Sequence, residues 1–191
     1  MAASQTIQAR YGRRVGWVRH HAARTLDRLG AFARLRSVRW DDVERLVFVC
    51  QGNICRSAYA DARARLVGLR SASFGLSARD GDCANAVAHA RAAVRGVDLS
   101  AHRATSASAA LVRGGDLLIA MEAGQLRPLA QVATAPTTLL GLWATPPRPH
   151  LEDPYGLSLE YFDTCFDVID SAVEHIARLT SRRSVPQSEG N

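Results

Sequence analysis

The segment from Val47 to Ser57 limits the possible folds of this chain more than any other stretch. It reads VFVCQGNICRS, so an apolar run ends at Cys50, and an arginine follows six residues later. Gly52 permits a tight turn, and Asn53 tolerates the left-handed backbone conformation. We therefore predict a buried strand, a tight loop and a helix, with the thiol at the carboxyl end of the strand.

The predicted loop is suited to binding a tetrahedral oxyanion beside the thiol. Its backbone N–H groups and the N-terminus of the next helix form an anion site, and their positive potential favours the thiolate. Arg56 can hold two anionic oxygens at once. The Ser57 hydroxyl can donate a hydrogen bond to the Cys50 thiolate. These residues predict nucleophilic chemistry on an oxyanion.

A cysteine and an arginine at this spacing are weak evidence by themselves. The chain has no lysine, and arginine occupies 24 of its 191 positions, so such pairs arise by chance. In the structural alternative, Cys50 and Cys55 are small buried side chains of a strand–turn–helix unit. The combination of Gly52, Asn53 and Arg56 with the serine that follows favours the functional interpretation.

Predicted strands and helices alternate from about residue 44 onward. Such alternation is typical of a parallel sheet covered by helices on both faces. We therefore expect an α/β fold with three layers, in which helices flank a four-stranded parallel sheet. The predicted strands are Leu46–Cys50, Ser71–Leu76, Asp116–Met121 and Thr137–Leu140, and the predicted helices are Ser57–Gly68, Asn85–Arg95, Glu122–Ala130 and Leu157–Leu179.

Positive charge is concentrated in the first forty residues. Residues 1–40 contain nine arginines and one acidic residue, whereas residues 41–191 contain fifteen arginines and seventeen acidic residues. Apolar residues at helical spacing predict a basic amphipathic helix before residue 40, or two short helices broken near Gly30. We expect three parts, namely a basic amphipathic helical extension over 1–40, a catalytic domain over 41–181 and a disordered tail over 182–191.

The cysteine pattern and the hydropathy exclude several classes of protein. Four cysteines are too few for a disulfide scaffold in a chain of this length, and no C-x2-C pair indicates zinc. No apolar run reaches the roughly 20 residues that span a bilayer, and the N-terminus lacks the apolar core of a secretory signal. We therefore expect a cytoplasmic protein without a zinc site.

The loop and a second motif together resemble the low-molecular-weight protein tyrosine phosphatases of the bacterial type. The loop of that family reads C-x-G-N-x-C-R-S, which matches Cys50–Ser57. Downstream, the run Leu151–Gly156 reads LEDPYG and is similar to the family's general-acid motif. The resemblance covers roughly residues 44–180 and implies the flavodoxin-like phosphotyrosine phosphatase I fold.

The resemblance implies hydrolysis of protein phosphotyrosine through a cysteinyl-phosphate intermediate, without a metal ion or cofactor. Cys50 would be the nucleophile, Asp153 the general acid and base, and Arg56 the group that holds the phosphoryl oxygens. Tyr155 would form a wall of the substrate slot. The residues assigned to phosphate binding are Gln51, Gly52, Asn53, Ile54, Cys55 and Ser57, and those assigned to supporting the loop are Ser73 and His102.

The implied partners are phosphotyrosine proteins. A bacterial tyrosine kinase is one candidate, with a role in exopolysaccharide regulation. The stretch Leu76–Gly81 lacks the aromatic residue that many members place beside the substrate ring, and Gly156 replaces a second aromatic residue. These departures concern the choice among aryl phosphates and leave the phosphoryl chemistry unchanged.

The extension over residues 1–40 lies outside the family's usual extent, and several interpretations fit it. It could contact an anionic membrane surface as a peripheral helix at the inner face. It could instead dock on the domain or on a partner, act as an organellar transit peptide, or cover an apolar patch of its own domain. Its charge would also suit nucleic acid, but we recognise no binding module and expect no specific nucleic-acid binding.

Two other functions fit parts of the sequence. An arsenate reductase coupled to thioredoxin would need a further cysteine pair, and the chain offers only Cys83 and Cys165, far apart in sequence. A non-hydrolysing phosphate-binding module would not need Asp153. Oxidation gives a further hypothesis, in which a transient Cys50–Cys55 disulfide protects the nucleophile.

Overall fold

The computed structural model describes residues 2–181, and its centre is a parallel sheet of four strands. The strands are β1 (Arg45–Cys50), β2 (Ser71–Gly75), β3 (Asp116–Ala120) and β4 (Thr137–Leu139), in the order β2-β1-β3-β4. The expected four-stranded α/β fold is confirmed, and each predicted strand is found with its ends shifted by at most one residue. The tail predicted over residues 182–191 lies outside the described residues.

Seven helices are described, three in the extension and four around the sheet. The extension contains α1 (Ala2–Tyr11), α2 (Arg14–Arg28) and α3 (Ala33–Arg36), and the sheet is flanked by α4 (Arg56–Leu66), α5 (Ala86–Val94), α6 (Leu126–Val132) and α7 (Leu159–Ser181). The prediction of one helix over Glu122–Ala130 is wrong, since a 3₁₀ turn at Ala123–Gln125 precedes α6. Pro128 explains this boundary, because a residue without an N–H is tolerated only in the first turn of a helix.

Strand β1 lies in the middle of the sheet and determines where the loop emerges. Val49 is aligned with Phe74 of β2 on one side and with Ala120 of β3 on the other. Phe48 and Val49 are fully buried, as expected for a strand covered on both faces. Because parallel strands end at the same edge of a sheet, Cys50 leaves the sheet beside the residues that follow Ala120.

Helix α7 fixes α4, and therefore the loop that precedes α4. The rings of Tyr59 and Phe166 stack with centroids 3.7 Å apart and planes 2° from parallel. The Tyr59 hydroxyl donates to Asp170 of α7 at 2.8 Å. Arginines of α4, of α5 and of the residue that follows α5 also pair with acidic residues along α7, namely Arg63 with Asp170, Arg91 with Asp163 and Arg95 with Asp167.

The extension packs on the rest of the chain. In α7, the Thr164 hydroxyl donates to the Ala9 carbonyl of α1 at 2.7 Å. The predicted break near Gly30 is confirmed, because Gly30 has a φ of +80° and separates α2 from α3. Helix α1 lies within the extension predicted as helical over 1–40, although residues 2–11 themselves show no apolar period.

Helix α2 buries an unexpected face. Its buried residues are Gly16, His20 and Ala23, whereas the apolar residues Val15 and Val18 are exposed. Small residues on the buried face let α2 approach the domain closely. No helix among the described residues is long and apolar enough to cross a membrane.

Candidate active site

The loop between β1 and α4 wraps around the Cys50 sulfur. The N–H of Asn53 donates to Cys50 Sγ at 3.3 Å, and Ser57 Oγ lies 3.0 Å from the same sulfur. Asn53 has a φ of +53°, so this residue turns the loop in the left-handed conformation that its type tolerates. The N-terminus of α4, at Arg56, then points its unpaired N–H groups towards the loop.

Buried hydrogen bonds hold this loop in shape, and most of them involve Asn53. Its side-chain amide donates to Ser57 Oγ at 2.8 Å and to Ser73 Oγ at 2.9 Å, and its side-chain oxygen accepts from the Thr105 N–H at 2.9 Å. His102 Nε2 donates to the Asn53 carbonyl at 2.6 Å. The structure thus brings both predicted support residues, Ser73 and His102, onto the loop.

The end of β2 also supports the loop, through a glycine that the sequence reasoning missed. A Cβ at Gly75 would lie 2.7 Å from the Gln51 carbonyl oxygen and 2.8 Å from the Asn53 nitrogen. The neighbouring Leu76 N–H donates to the Cys50 carbonyl at 2.9 Å. Any larger residue at Gly75 would push the loop away from β2. A glycine at a strand end is the only signal that the sequence offered.

Arg56 lies fully buried between the loop and two acidic residues. Its Nη2 is 2.6 Å from Asp153 Oδ2, and its Nη1 is 3.3 Å from Glu122 Oε1 and 2.8 Å from the Leu151 carbonyl. Burial alone would lower the pKa of Arg56, but the surrounding negative charges, that of Asp153 foremost, raise it above its ordinary value. Arg56 is therefore a cation beside the Cys50 thiol.

Glu122 was not predicted as part of the site. It lies two residues after Ala120, the last residue of β3, and β3 is the strand next to β1. Ligand sites of open α/β sheets lie at this edge, so the position was a usable signal. Glu122 adds a second carboxylate to Arg56, and His150 Nδ1 lies 3.8 Å from its other oxygen.

A cavity of about 240 Å³ joins the loop to the predicted acid motif. The Tyr155 N–H donates to Asp153 Oδ1 at 3.2 Å, so the backbone after Asp153 turns back towards the Asp153 carboxylate. The Leu76–Gly81 segment does not line the cavity, although Ser77 Oγ accepts from Gln51 Nε2 at 2.6 Å. The lining residues are Cys50, Gln51, Gly52, Ile54, Cys55, Asp153 and Tyr155.

Cys83 and Cys165, the two cysteines outside the loop, have different surroundings. Cys165 is fully buried on α7, whereas Cys83 is exposed, so the two differ in access to solvent. Burial raises the pKa of Cys165 and holds it as a thiol. Within residues 2–181, no three His, Cys, Asp or Glu side chains come together in a way that could hold a metal ion.

The family model for low molecular weight phosphotyrosine protein phosphatases matches residues 45–185. The chain belongs to this family. The low-molecular-weight protein-tyrosine-phosphatase Etp of Escherichia coli K12 is 32% identical over 142 residues, which are 72% of this chain and 95% of Etp. The probable phosphatase AmsI of Erwinia amylovora is 30% identical over 145 residues, 73% of this chain and 99% of AmsI.

Solved structures of the family show the same fold. The crystal structure of AmsI superimposes with a TM-score of 0.64 at 27% identity, covering 73% of this chain and 95% of AmsI. The tyrosine phosphatase Wzb of Escherichia coli K30, solved in complex with sulphate, gives a TM-score of 0.63 at 28% identity, covering 72% and 98%. The family match begins at Arg45, so it leaves the extension unaddressed.

Proposed function

We propose that the protein hydrolyses phosphotyrosine side chains of proteins in two steps at the Cys50 loop. In the first step, the Cys50 thiolate attacks phosphorus, the S–P bond forms, and the bond to the tyrosine oxygen breaks. Asp153 gives its proton to that oxygen. In the second step Asp153 removes a proton from water, the water oxygen attacks phosphorus, and phosphate leaves the regenerated thiolate.

The observation that carries this proposal is that Cys50 and Asp153 line one cavity, while the buried Arg56 pairs with Asp153, its Nη2 2.6 Å from Asp153 Oδ2. The Asn53 N–H and the Ser57 hydroxyl are positioned to stabilise the thiolate, as the leaving group of the second step. Arg56 and the loop N–H groups would hold the phosphoryl oxygens through both transition states. These roles thus fall on groups that contact the Cys50 sulfur, line the cavity or pair with a residue that lines it.

Substrate binding would release Asp153 for its role as an acid. Phosphoryl oxygens compete with Asp153 for Arg56, because both are anionic acceptors for the same guanidinium. The Asp153 carboxyl group, no longer paired with Arg56, can then face the tyrosine oxygen to which it gives its proton. The pairing of Arg56 with Asp153 therefore belongs to the substrate-free state of the site.

The burial of Cys50 favours phosphotyrosine over phosphoserine. Cys50 lines the cavity and is only 3% exposed. A long aromatic side chain can carry its phosphate to a buried sulfur, whereas the short serine side chain would bring the peptide backbone into contact with the rim. Tyr155 on the rim offers an aromatic surface to the substrate ring.

The proposal is tested with phosphotyrosine and phosphoserine peptides of one sequence. We expect turnover of the phosphotyrosine peptide by the wild type, and loss of turnover in Cys50→Ser and Asp153→Ala. Cys50→Ser should still bind inorganic phosphate, because the loop N–H groups and Arg56 remain. Unchanged hydrolysis by Cys50→Ser would refute the mechanism.

We infer that the extension brings the enzyme to an anionic membrane surface at the cytoplasmic face. The apolar residues Val15, Val18, Leu26 and Leu29 recur at helical spacing, and they are 52%, 55%, 48% and 77% exposed. Arg14 and Arg28 of the same helix are also exposed. Arginines near an anionic lipid surface contribute about 1 kcal/mol each, and the apolar side chains can enter the interface.

Such binding would bring the active site to phosphotyrosine segments of membrane proteins. A bacterial tyrosine kinase is the partner that we favour, and exopolysaccharide regulation is the process. Co-sedimentation with phosphatidylglycerol vesicles tests the surface, with phosphatidylcholine vesicles as the neutral control. Leu29→Glu should abolish binding, whereas Leu111→Glu, at an equally exposed position, should not; equal binding by both variants would refute this inference.

A further inference from the structure

We propose that Arg13 of the extension is a positioning residue for the general acid, acting through Glu152. This inference rests on the proposed role of Asp153, the residue that follows Glu152. Arg13 Nε lies 2.8 Å from Glu152 Oε1, and Arg19 Nη1 lies 3.4 Å from Glu152 Oε2. The extension thus binds the side chain of Glu152, the residue next to the general acid.

The Glu152 carboxylate is held as a buried anion by groups from two parts of the chain. The residue is only 3% exposed, and a buried carboxylate is stable only when it is paired and hydrogen-bonded. Burial alone would raise the pKa of Glu152, but the hydrogen bond with His150 and the charges of Arg13 and Arg19 lower it. Glu152 is therefore ionised at neutral pH and fixed in place by its partners.

The packing of α2 allows this contact. A Cβ at Gly16 would overlap the Tyr11 carbonyl oxygen and lie 3.2 Å from Glu152 Cγ, so the glycine lets α2 pack closely against the end of α1 and against residues 151–156, here called the acid loop. The Tyr161 hydroxyl donates to the Glu152 carbonyl at 3.1 Å and holds the backbone from the side of α7. The loop is clamped between the extension and α7 at this residue.

Glu152 is also linked to the phosphate-binding arginine. His150 Nε2 lies 2.9 Å from Glu152 Oε2, and its Nδ1 lies 3.8 Å from Glu122 Oε2. Glu122 in turn lies 3.3 Å from Arg56. Polar side chains therefore connect the extension with Arg56 by way of Glu152, His150 and Glu122.

The contacts of Glu152 matter most when substrate is bound. In the structure, the side chains of the acid loop are held at Asp153, through Arg56, and at Glu152, through Arg13 and Arg19, while Tyr161 holds the Glu152 carbonyl. A bound phosphate takes Arg56 from Asp153. The side-chain contacts of Glu152 with Arg13 and Arg19 then help to hold Asp153 at the leaving oxygen when proton transfer occurs.

The test compares full-length Arg13→Glu with Arg34→Glu, which makes the same charge change at an exposed residue of α3. The readout is kcat/KM for two substrates, phosphotyrosine and para-nitrophenyl phosphate. Phenolate leaving groups have a pKa of about 10 and need the acid, whereas nitrophenolate is a far weaker base and needs it little.

We expect Arg13→Glu to lower kcat/KM for phosphotyrosine about tenfold and for the nitrophenyl ester less than about twofold, since only the acid-dependent step is impaired. Arg13→Lys should restore the wild-type ratio between the two substrates, and Arg34→Glu should keep it. Equal losses on both substrates, or no loss at all, would overturn the proposal, because a merely structural contact does not distinguish leaving groups.

Two further variants keep the outcome decisive. If circular dichroism shows that Arg13→Glu is unfolded, Glu152→Gln removes the same charge pair at constant volume, and its kcat/KM ratio must shift in the same direction. Asp153→Ala separates the two claims. A substrate-dependent loss in Asp153→Ala without one in Arg13→Glu would refute the positioning role alone, whereas no such loss in Asp153→Ala would refute the general acid itself.

Discussion

Arg56 Nη2 lies 2.6 Å from Asp153 Oδ2, although the two residues are 97 positions apart in the chain. The pair joins the loop at the end of β1 to the motif that precedes α7. A cationic guanidinium fully buried in a protein is stable only when it is paired. Asp153 supplies that pairing before substrate arrives, and the phosphate group takes it over when substrate binds.

Asn53 is the residue on which the shape of the loop depends most. Its side chain makes three hydrogen bonds, each worth about 1 kcal/mol. We expect Asn53→Gly, which keeps the left-handed backbone available, to lower kcat/KM on the order of 100-fold. Steady-state assays against phosphotyrosine check this, and a loss below threefold would show that the backbone alone maintains the loop.

Phe166 should contribute strongly to stability without touching the site. It is fully buried and stacks on Tyr59, so truncation leaves a cavity between α4 and α7. We expect Phe166→Ala to lower the free energy of unfolding in urea by about 3–5 kcal/mol. The control is Leu159→Ala on the same helix, at a half-exposed position, where we expect less than about 1 kcal/mol.

His20 should make docking of the extension sensitive to acid. Burial, followed by the positive charges of Arg148 and of His21, Arg24 and His150, lowers the pKa of His20 from 6.5 to about 4. The docked state therefore binds the proton less tightly than the undocked state. The free energy that favours docking therefore has its full value above pH 6.5, the ordinary pKa of His20, and it declines as the pH falls towards 4.

Hydrogen–deuterium exchange over residues 14–28, corrected for intrinsic rates, measures this docking. Exchange should accelerate between pH 6.5 and pH 4 in the wild type and in His21→Gln, and should stay flat in His20→Gln. The same acceleration in His20→Gln would assign the effect to another group.

Cys55 should react as a partner of oxidised Cys50 and not by itself. Burial raises the pKa of the Cys55 thiol, so alkylation at neutral pH should modify the exposed Cys83 before Cys55. After peroxide, which oxidises Cys50 to a sulfenic acid, attack by Cys55 would release water and form a disulfide. Mass spectrometry should find this bond in the wild type, while Cys55→Ser should accumulate sulfonic acid at Cys50. Sulfonic acid at Cys50 in the wild type, without the disulfide, would refute the protective role of Cys55.

The loop and the fold could be predicted because their signals are local. Strand β1, the turn at Asn53 and the start of α4 lie within one short segment, and an alternation of strands and helices leaves few arrangements. Asp153 could be predicted as the general acid from the LEDPYG motif that contains it. The contacts of Glu152 were not predicted, since Arg13 lies 139 positions earlier and reaches it only through the docking of α2.

The orientation of α2 could not be predicted for a related reason. Apolar spacing at Val15 and Val18 normally marks the buried face of a helix. In this protein the buried face carries Gly16 and Ala23 together with His20, and the two small residues allow a close approach to the rest of the chain. The sequence therefore showed an amphipathic helix, while its docked face depended on the shape of the partner surface.

The central claim is that phosphate passes through the Cys50 sulfur, and trapping that intermediate tests it most directly. Wild-type enzyme is mixed with excess phosphotyrosine peptide, quenched with acid within a turnover and digested. Fragmentation of the peptide that contains Cys50 and Ser57 locates any phosphoryl group. We predict a phosphoryl group on Cys50 during turnover and none in Cys50→Ala, which should also be inactive. Steady hydrolysis without phosphorylated Cys50, or turnover by Cys50→Ala, would contradict the account.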